Sequence, residues 1–521
     1  MNRPIMFMNR RRVLAWLVLM LALPLAHAAT IVVTRNDDPS PDGCAAGDCS
    51  LREAVIAANA DPGSDLIQVP IGTFSLLGAL TVSNNVQIYG SADGTTKIDG
   101  NGDEPAFSID GAISVKLAHL TIRSHGAHAV DSDQRADTIF EYVTIPDSDG
   151  QVHVLAPHDG VGSLDIRVSD IHSYIDCGDV RVCRIIDSSI QRLQVGEGVS
   201  AQTLLIIERT TIDGDLGSGI NGGIVVQTNN TVQIVNSTIR NTDVGLDIIA
   251  GTPTSVLLDH LDYSANLVPM FVNVPTTVTV VDSEFTSNVR DSYYSGPAAI
   301  DAGGGSVWDI SRSTFVSNVG DGTVGGAVLV HEAARVAVRN STFSGNSFTT
   351  AAAGNGARGA AIGYVSDPAI TSLALQHVTI VAPTISPAGL LGTALGGTGG
   401  ETGLVLNVLN SIIRGSCKLD TNAMDANFGN IESSADTCDF DANNNTTGVS
   451  SATLALGSLG DHGGATQTYQ PAFSSPAVDG GAAAFCLDTD QRGYQRPVGA
   501  GCDVGALEVG AVDRIFGNGF D

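Results

Sequence analysis

Carboxylates and imidazoles gather in one stretch of the chain. Asp99, Asp103 and Asp110 precede His119, His125 and His128, and His153, His158 and His172 follow. Two or three carboxyls drawn into one cleft do general acid–base work on a glycosidic bond, whereas carboxylates that hold calcium acidify a sugar proton for an Arg or Lys base. Neither arrangement is written compactly. His119 falls at a position of an internal repeat that His260 and His377 also occupy, which makes those three backbone-corner residues. His125, His128, His153 and His158 fall in variable turns, where solvated polar side chains are the rule. Asp131, Asp133 and Asp137 lack the spacing of a calcium loop. No residue is therefore assigned to catalysis, and Asp99, Asp103, His125, His128, His153 and His158 stand as functional candidates. An enzyme would bring at least two carboxylates and a basic residue onto one outward strand face, while a scaffold would scatter them among turns.

The repeat that must position these groups returns twelve times: two alternating apolar residues, a polar corner, a Ser or Thr, then an Ile or Phe. Aligned on the residue before the final apolar one, the copies fall at Thr121, Thr144, Asp170, Ser189, Thr211, Thr238, Asp262, Glu284, Thr314, Thr342, Thr379 and Ile412, with steps of 19 to 37 residues. Such a period, with short strands and no helical periodicity, is that of a solenoid whose coils stack only on their neighbours. The site two residues before the anchor holds His, Asp or Asn in eight of the twelve copies. These are the non-glycine residues most tolerant of a left-handed backbone, so the site reads as a tight corner between two strands, and stacked Asn corners would form a ladder. Gly-rich strands near Gly222, Gly325 and Gly359 bring the count to three strands per coil. Over residues 66–415 the pattern resembles the right-handed parallel β-helix family. The fold implied is all-β, a single right-handed parallel β-helix (solenoid) of about twelve or more coils, in keeping with the hand of parallel crossovers. Many proteins of that superfamily cleave acidic polysaccharides in a groove along one strand face.

Both ends are specialised. Residues 1–28 carry a basic start, an apolar run from Val13 to Leu25 and an Ala-His-Ala exit, the pattern of a secretory signal peptide. Its removal takes four arginines and no acid, so the formal charge moves from −29 to −33. That excludes nucleic acid as a partner, and no second apolar run long enough to span a membrane follows. Eight cysteines fall as four local pairs, Cys44 with Cys49, Cys177 with Cys183, Cys417 with Cys438 and Cys486 with Cys502, which reads as disulfides in an exported chain. Ser50 and Glu53 form a capping box that starts a helix able to cover the first coil. Cys49 to Ala54 spells the CSLREA motif, so residues 29–65 resemble the small CSLREA domain that precedes β-helix repeats in exported bacterial proteins.

Residues 416–510, from Gly463-Gly464-Ala465-Thr466 through Asp490-Gln491-Arg492-Gly493 to Cys502-Asp503-Val504-Gly505-Ala506-Leu507-Glu508, resemble the choice-of-anchor Q domain, read here as a C-terminal cap. Asp479, Asp490, Arg492, Arg496, Asp503 and Glu508 would pair within it, and residues 511–521 form a terminal tail. The expectation is a secreted or outer-surface bacterial protein, monomeric, with a glycan or protein ligand and no catalysis of its own. No cofactor is implied; calcium is the ion so acidic a chain would draw. The alternative is a polysaccharide lyase or glycoside hydrolase acting on acidic polysaccharide, against which an aromatic content of 5% leaves few platforms for sugar rings.

Overall fold

The computed structural model describes residues 28–100, 104–124, 128–133, 135–146, 151–155 (backbone), 161–196, 203–214, 222–227, 231–250, 255–290, 296–349, 357–366, 371–382, 393–398, 404–419, 424–433 and 436–511. The signal-peptide segment, Asp103, His125, His158, the His153 side chain and the terminal tail beyond Ala511 lie outside the described residues.

The chain adopts the expected all-β parallel β-helix. Fifteen successive parallel pairings join sixteen strands into a first sheet, from Thr30–Val32 to Met424–Phe428. A second sheet runs from Gly72–Ser75 to Thr446–Val449, and a third from Leu80–Val82 to Cys417–Lys418. Alternation along each strand sends one set of side chains inward, as Val232 and Ile234 do on either side of the half-buried Gln233. Stacked coils place like on like: Phe285, Phe315 and Phe343 lie ring on ring with centroids 4.6 and 4.5 Å apart.

All twelve corner residues have φ between 45° and 56°, including Val168, whose branched Cβ makes that conformation costly. The ladder expected there lies instead at the next corner, where buried Asn266, Asn288, Asn318 and Asn346 pass amide hydrogen bonds from coil to coil at 3.1, 2.8 and 2.9 Å. A left-handed first corner turns its side chain outward, so Asp187 and Asp282 there pair instead with Arg209 and Arg312 of the next coil. All four local disulfides form.

The N-terminal motif is a set of fixed contacts. Ser50 and Glu53 cap helix Leu51–Ala60 reciprocally, while Leu51 and Ala54 are buried in the core. Arg52 grips the buried Asp38 with two nitrogens, at 2.8 and 2.7 Å, and donates to the carbonyls of Ala79 and Gly78. Arg52→Ala is expected to strip Asp38 of its cation and cost about 3 kcal/mol in a denaturant titration of the N-terminal coils. A loss under about 0.5 kcal/mol would mean that Asp38 needs no partner.

Two boundaries change at the other end. Parallel pairing continues past residue 415, since Ile412–Arg414 pairs with Ile431–Ser433, which pairs with Thr446–Val449. The repeat is unreadable there because Glu432, fully buried, takes the inward place that Ile413 holds one coil earlier. Its carboxylate accepts from the amides of Thr437 and Cys438 at 2.6 and 3.1 Å, folding Cys438 and Phe440 over the end of the core. Of residues 416–510, expected as an end cap, those from 450 onward lie along the flank as a strap over the outer side of the second sheet. Thr314 donates to the Gln467 carbonyl at 2.7 Å, Thr342 to Gln491 at 2.6 Å, and Ala506 donates to Thr379 at 2.9 Å. The expected charged network holds the strap together, with Arg496 and Glu508 both fully buried and 2.9 Å apart.

Candidate functional site

Each sheet offers one outward array of chemistry-bearing side chains. On the first sheet, Lys116 pairs with Glu141, and Asp165 with both Arg167 and Arg184, at 2.5 and 3.0 Å for the latter two. These charges neutralise one another. At the adjoining corner His119 and Tyr142 stack 4.7 Å apart and 8° from parallel, and Tyr89 lies 6.3 Å from His119, tilted by 39°. Rings stacked along the rod turn their edges to solvent, so the row is no platform for a sugar.

Near the first corner, Asp259, His260 and Asp282 bring ligand atoms within 4.8 Å of one another. Both oxygens of Asp282 already accept from Arg312, at 2.8 and 2.6 Å, and His260 binds Asp259 at 2.6 Å. The charge a cation would supply is present.

The third sheet differs. Its register sets Gln194, Val225, Asp247, Phe271, Asp301 and Leu329 in one outward row. Asp247 is half-buried, and its Oδ1 has no hydrogen-bond partner. Desolvation alone pushes its carboxyl up to about 6, well above the usual carboxylate range. Asp243, on the approach to the same strand, is also raised by burial, against hydrogen bonds from its own and the Gly222 amide and the Arg192 charge. Two rungs beyond Asp247, Asp301 binds His331 Nε2 at 2.7 Å. Arg290 reaches the same place: a Cβ added at Gly296 would sit 3.8 Å from Arg290 Nε and 3.9 Å from Asp301 Oδ2.

Two rungs before Asp247, the Arg192 guanidinium lies 4.8 Å over the Tyr174 ring, whose hydroxyl is fixed by Gln194 at 2.6 Å. In the Arg192 row the next strand holds Gly223, and the Asp247 strand itself holds Gly245. At Gly223, with φ +126°, a Cβ would meet the Gly245 carbonyl at 2.5 Å, so the coils touch backbone to backbone and leave an open floor. The third sheet thus brings Asp247, Asp301 and Arg192 onto one outward face, with Asp243, Arg290 and His331 beside it. Two rungs at ~4.8 Å put the Asp247 and Asp301 backbones roughly 10 Å apart.

Two solved structures resemble the chain in backbone path. A PL6 family alginate lyase, AlyGC, has a TM-score of 0.39 and 10% identity over 85% of this chain and 55% of that one. The pectate lyase Pel9A has a TM-score of 0.24 and 12% identity over 93% of this chain and 97% of that one. The chain spans about half the length of the alginate lyase. No family model and no curated protein matches the sequence. The site rests on its own residues.

The candidates taken from sequence converge only in part: the His153 backbone pairs with Asp131, one rung from the His128 strand on the third sheet, and the others lie apart. Asp99 and His172 lie on the second sheet, His119 at the first corner and His128 on the third sheet, bound to Asp131 at 2.8 Å. The Asp131 backbone falls five rungs from Asp247, roughly 24 Å along the rod. Sequence reading missed Asp247 and Asp301 because the segment between the second and third sheets changes length from coil to coil, and no fixed offset from the repeat reaches them. Two corner histidines are also more than corners. His260 belongs to the acidic trio, and His377 is sealed beneath the strap.

Proposed function

We propose that the chain is an exported β-helix protein that binds a polysaccharide along its third sheet and cleaves it by hydrolysis. The observation that carries this reading is Asp247, a desolvated carboxyl with an unpartnered oxygen, raised to about 6. Such a group holds a proton near neutral pH and can deliver it to a glycosidic oxygen. Asp301, held by His331, stands on the far side as the base that activates water, and the two-rung separation leaves room for that water, as in an inverting hydrolase. Arg192, stacked on Tyr174, offers a cation to the chain bound at Asp247.

Four disulfides accord with export. Among the described residues no helix is long and apolar enough to cross a membrane. The CSLREA and choice-of-anchor Q resemblances support display at the outer surface or release from it. A binding scaffold without catalysis is the second reading, favoured by the self-paired charges of the first sheet.

Purified mature protein is expected to release new reducing ends from at least one member of a panel of neutral and acidic polysaccharides, without calcium and without unsaturated ends. Asp301→Asn should reduce that rate at least about 100-fold while binding persists. Unsaturated ends would instead indicate elimination, and silence across the panel with retained binding would leave the scaffold.

A further inference from the structure

We propose that the first sheet is the face on which a second copy of this chain docks, the two rods running antiparallel about a two-fold axis along strand Thr231–Val235. The expectation of a monomer is thereby replaced, and the inference is independent of the third-sheet site.

The argument is one of register. Four rungs before Thr231–Val235 the outward positions hold Asp137 and Glu141; four rungs after it, in the same columns, they hold Arg335 and Arg339. A two-fold axis along that strand exchanges rungs equally far on either side and keeps each column in place, so Asp137 of one copy meets Arg335 of the other; Glu141 meets Arg339 likewise, but these two are already paired within their own chain, with Lys116 and Asp309. Arg335 is exposed and has no ion pair of its own among the described residues. The same operation sets Ile186 against Val281 and Ile206 against Leu257, and brings Val235 onto its own copy.

These are apolar side chains on the solvent side of a sheet, and Val307 in the same array is 43% exposed. Two like-charged matches arise, Glu208 with Asp259 and Asp165 with Asp309. Each of these four carboxylates already has a partner in its own chain: Arg209 for Glu208, the His260 ring for Asp259, Arg184 for Asp165 and Arg339 for Asp309. Eight rung steps of ~4.8 Å by five residues of strand give a flat face of about 600 Å², close to the ~800 Å² per side of a standard interface. The strap bounds that face at the next rung, where Gln376 donates to the Phe485 carbonyl at 2.9 Å.

Sedimentation velocity on the mature protein tests the proposal. A dimer that dissociates in the micromolar range is expected. Asp137→Arg and Arg335→Asp should each weaken it at least about tenfold, because each breaks two symmetry-related contacts, and the double exchange should restore it. Ile206→Arg, an outward change that leaves the core untouched, should abolish it with unchanged thermal melting. A chain that stays monomeric up to ~100 μM, single exchanges without effect, or a double exchange no tighter than the singles would each overturn the proposal.

Discussion

Asp247→Asn should abolish cleavage and at the same time make the protein more stable at neutral pH. Burial holds this carboxyl at about 6 in the folded chain, against 3.8 for the free group. The folded state therefore binds the proton more tightly, and the cost of ionising a desolvated acid grows as pH rises through that interval, reaching its full value above about 6. Asparagine keeps the shape and carries no charge. Allowing for partial exposure, the variant should gain on the order of 1–2 kcal/mol at pH 7, and the gain should vanish below about pH 4. In a chain of this size that is a rise of about 1–2 °C in Tm. A structural carboxylate would behave in the opposite way, since its removal would destabilise at pH 7. A variant that melts lower at pH 7, or that still releases reducing ends, removes Asp247 from the acid role.

The second large effect sits beneath the strap. His377 is fully buried; its Nδ1 donates to the Gly505 carbonyl at 3.3 Å and its Nε2 accepts from the Asn410 amide at 3.2 Å. Both contacts fit a neutral ring. Burial, followed by the Arg496 charge, pushes it down to about 3. A group depressed on folding contributes its full stability above its unfolded value near 6.5, and loses it as pH falls toward the folded one. About 2 kcal/mol should go between pH 6.5 and 5. Asp503 and Glu508, both raised chiefly by burial, gain stability on acidification and act against this. The comparison with His377→Asn isolates the effect, since Asn already occupies the same left-handed corner at Asn340 and Asn410. Wild type should lose stability relative to the variant as pH falls from 6.5 to 5, read as the release of the strap by hydrogen exchange at Gly505 and Ala506. Parallel pH profiles for the two proteins would show that the imidazole does not titrate against the strap.

Much of the architecture was legible before any coordinates. The corner phrase gave all twelve left-handed residues, including Tyr142, Val168, Arg209 and Arg312, whose types alone argue against that conformation. The capping box and the local cysteine pairs were equally plain, because each depends on residues a few positions apart. The strap was misplaced for a physical reason. Its hydrogen bonds to the rod join residues 72 to 183 positions apart, as between Asn410 and Ala482 or Glu284 and Gln467, and no local pattern carries such pairings.

The sequence by itself determined the class of fold, the period, the inward rows and the first corner, since apolar alternation and backbone chirality act within a single coil. Only the tertiary structure decided which outward residues share a face. Asp247 and Asp301 are separated by 54 positions and by turns of unequal length, and only the stacking of third-sheet strands across those turns sets them two rungs apart. The candidate site arises from the stacking of coils, as does the matching of Asp137 with Arg335, because register in a solenoid is fixed by strand pairing and not by distance along the chain.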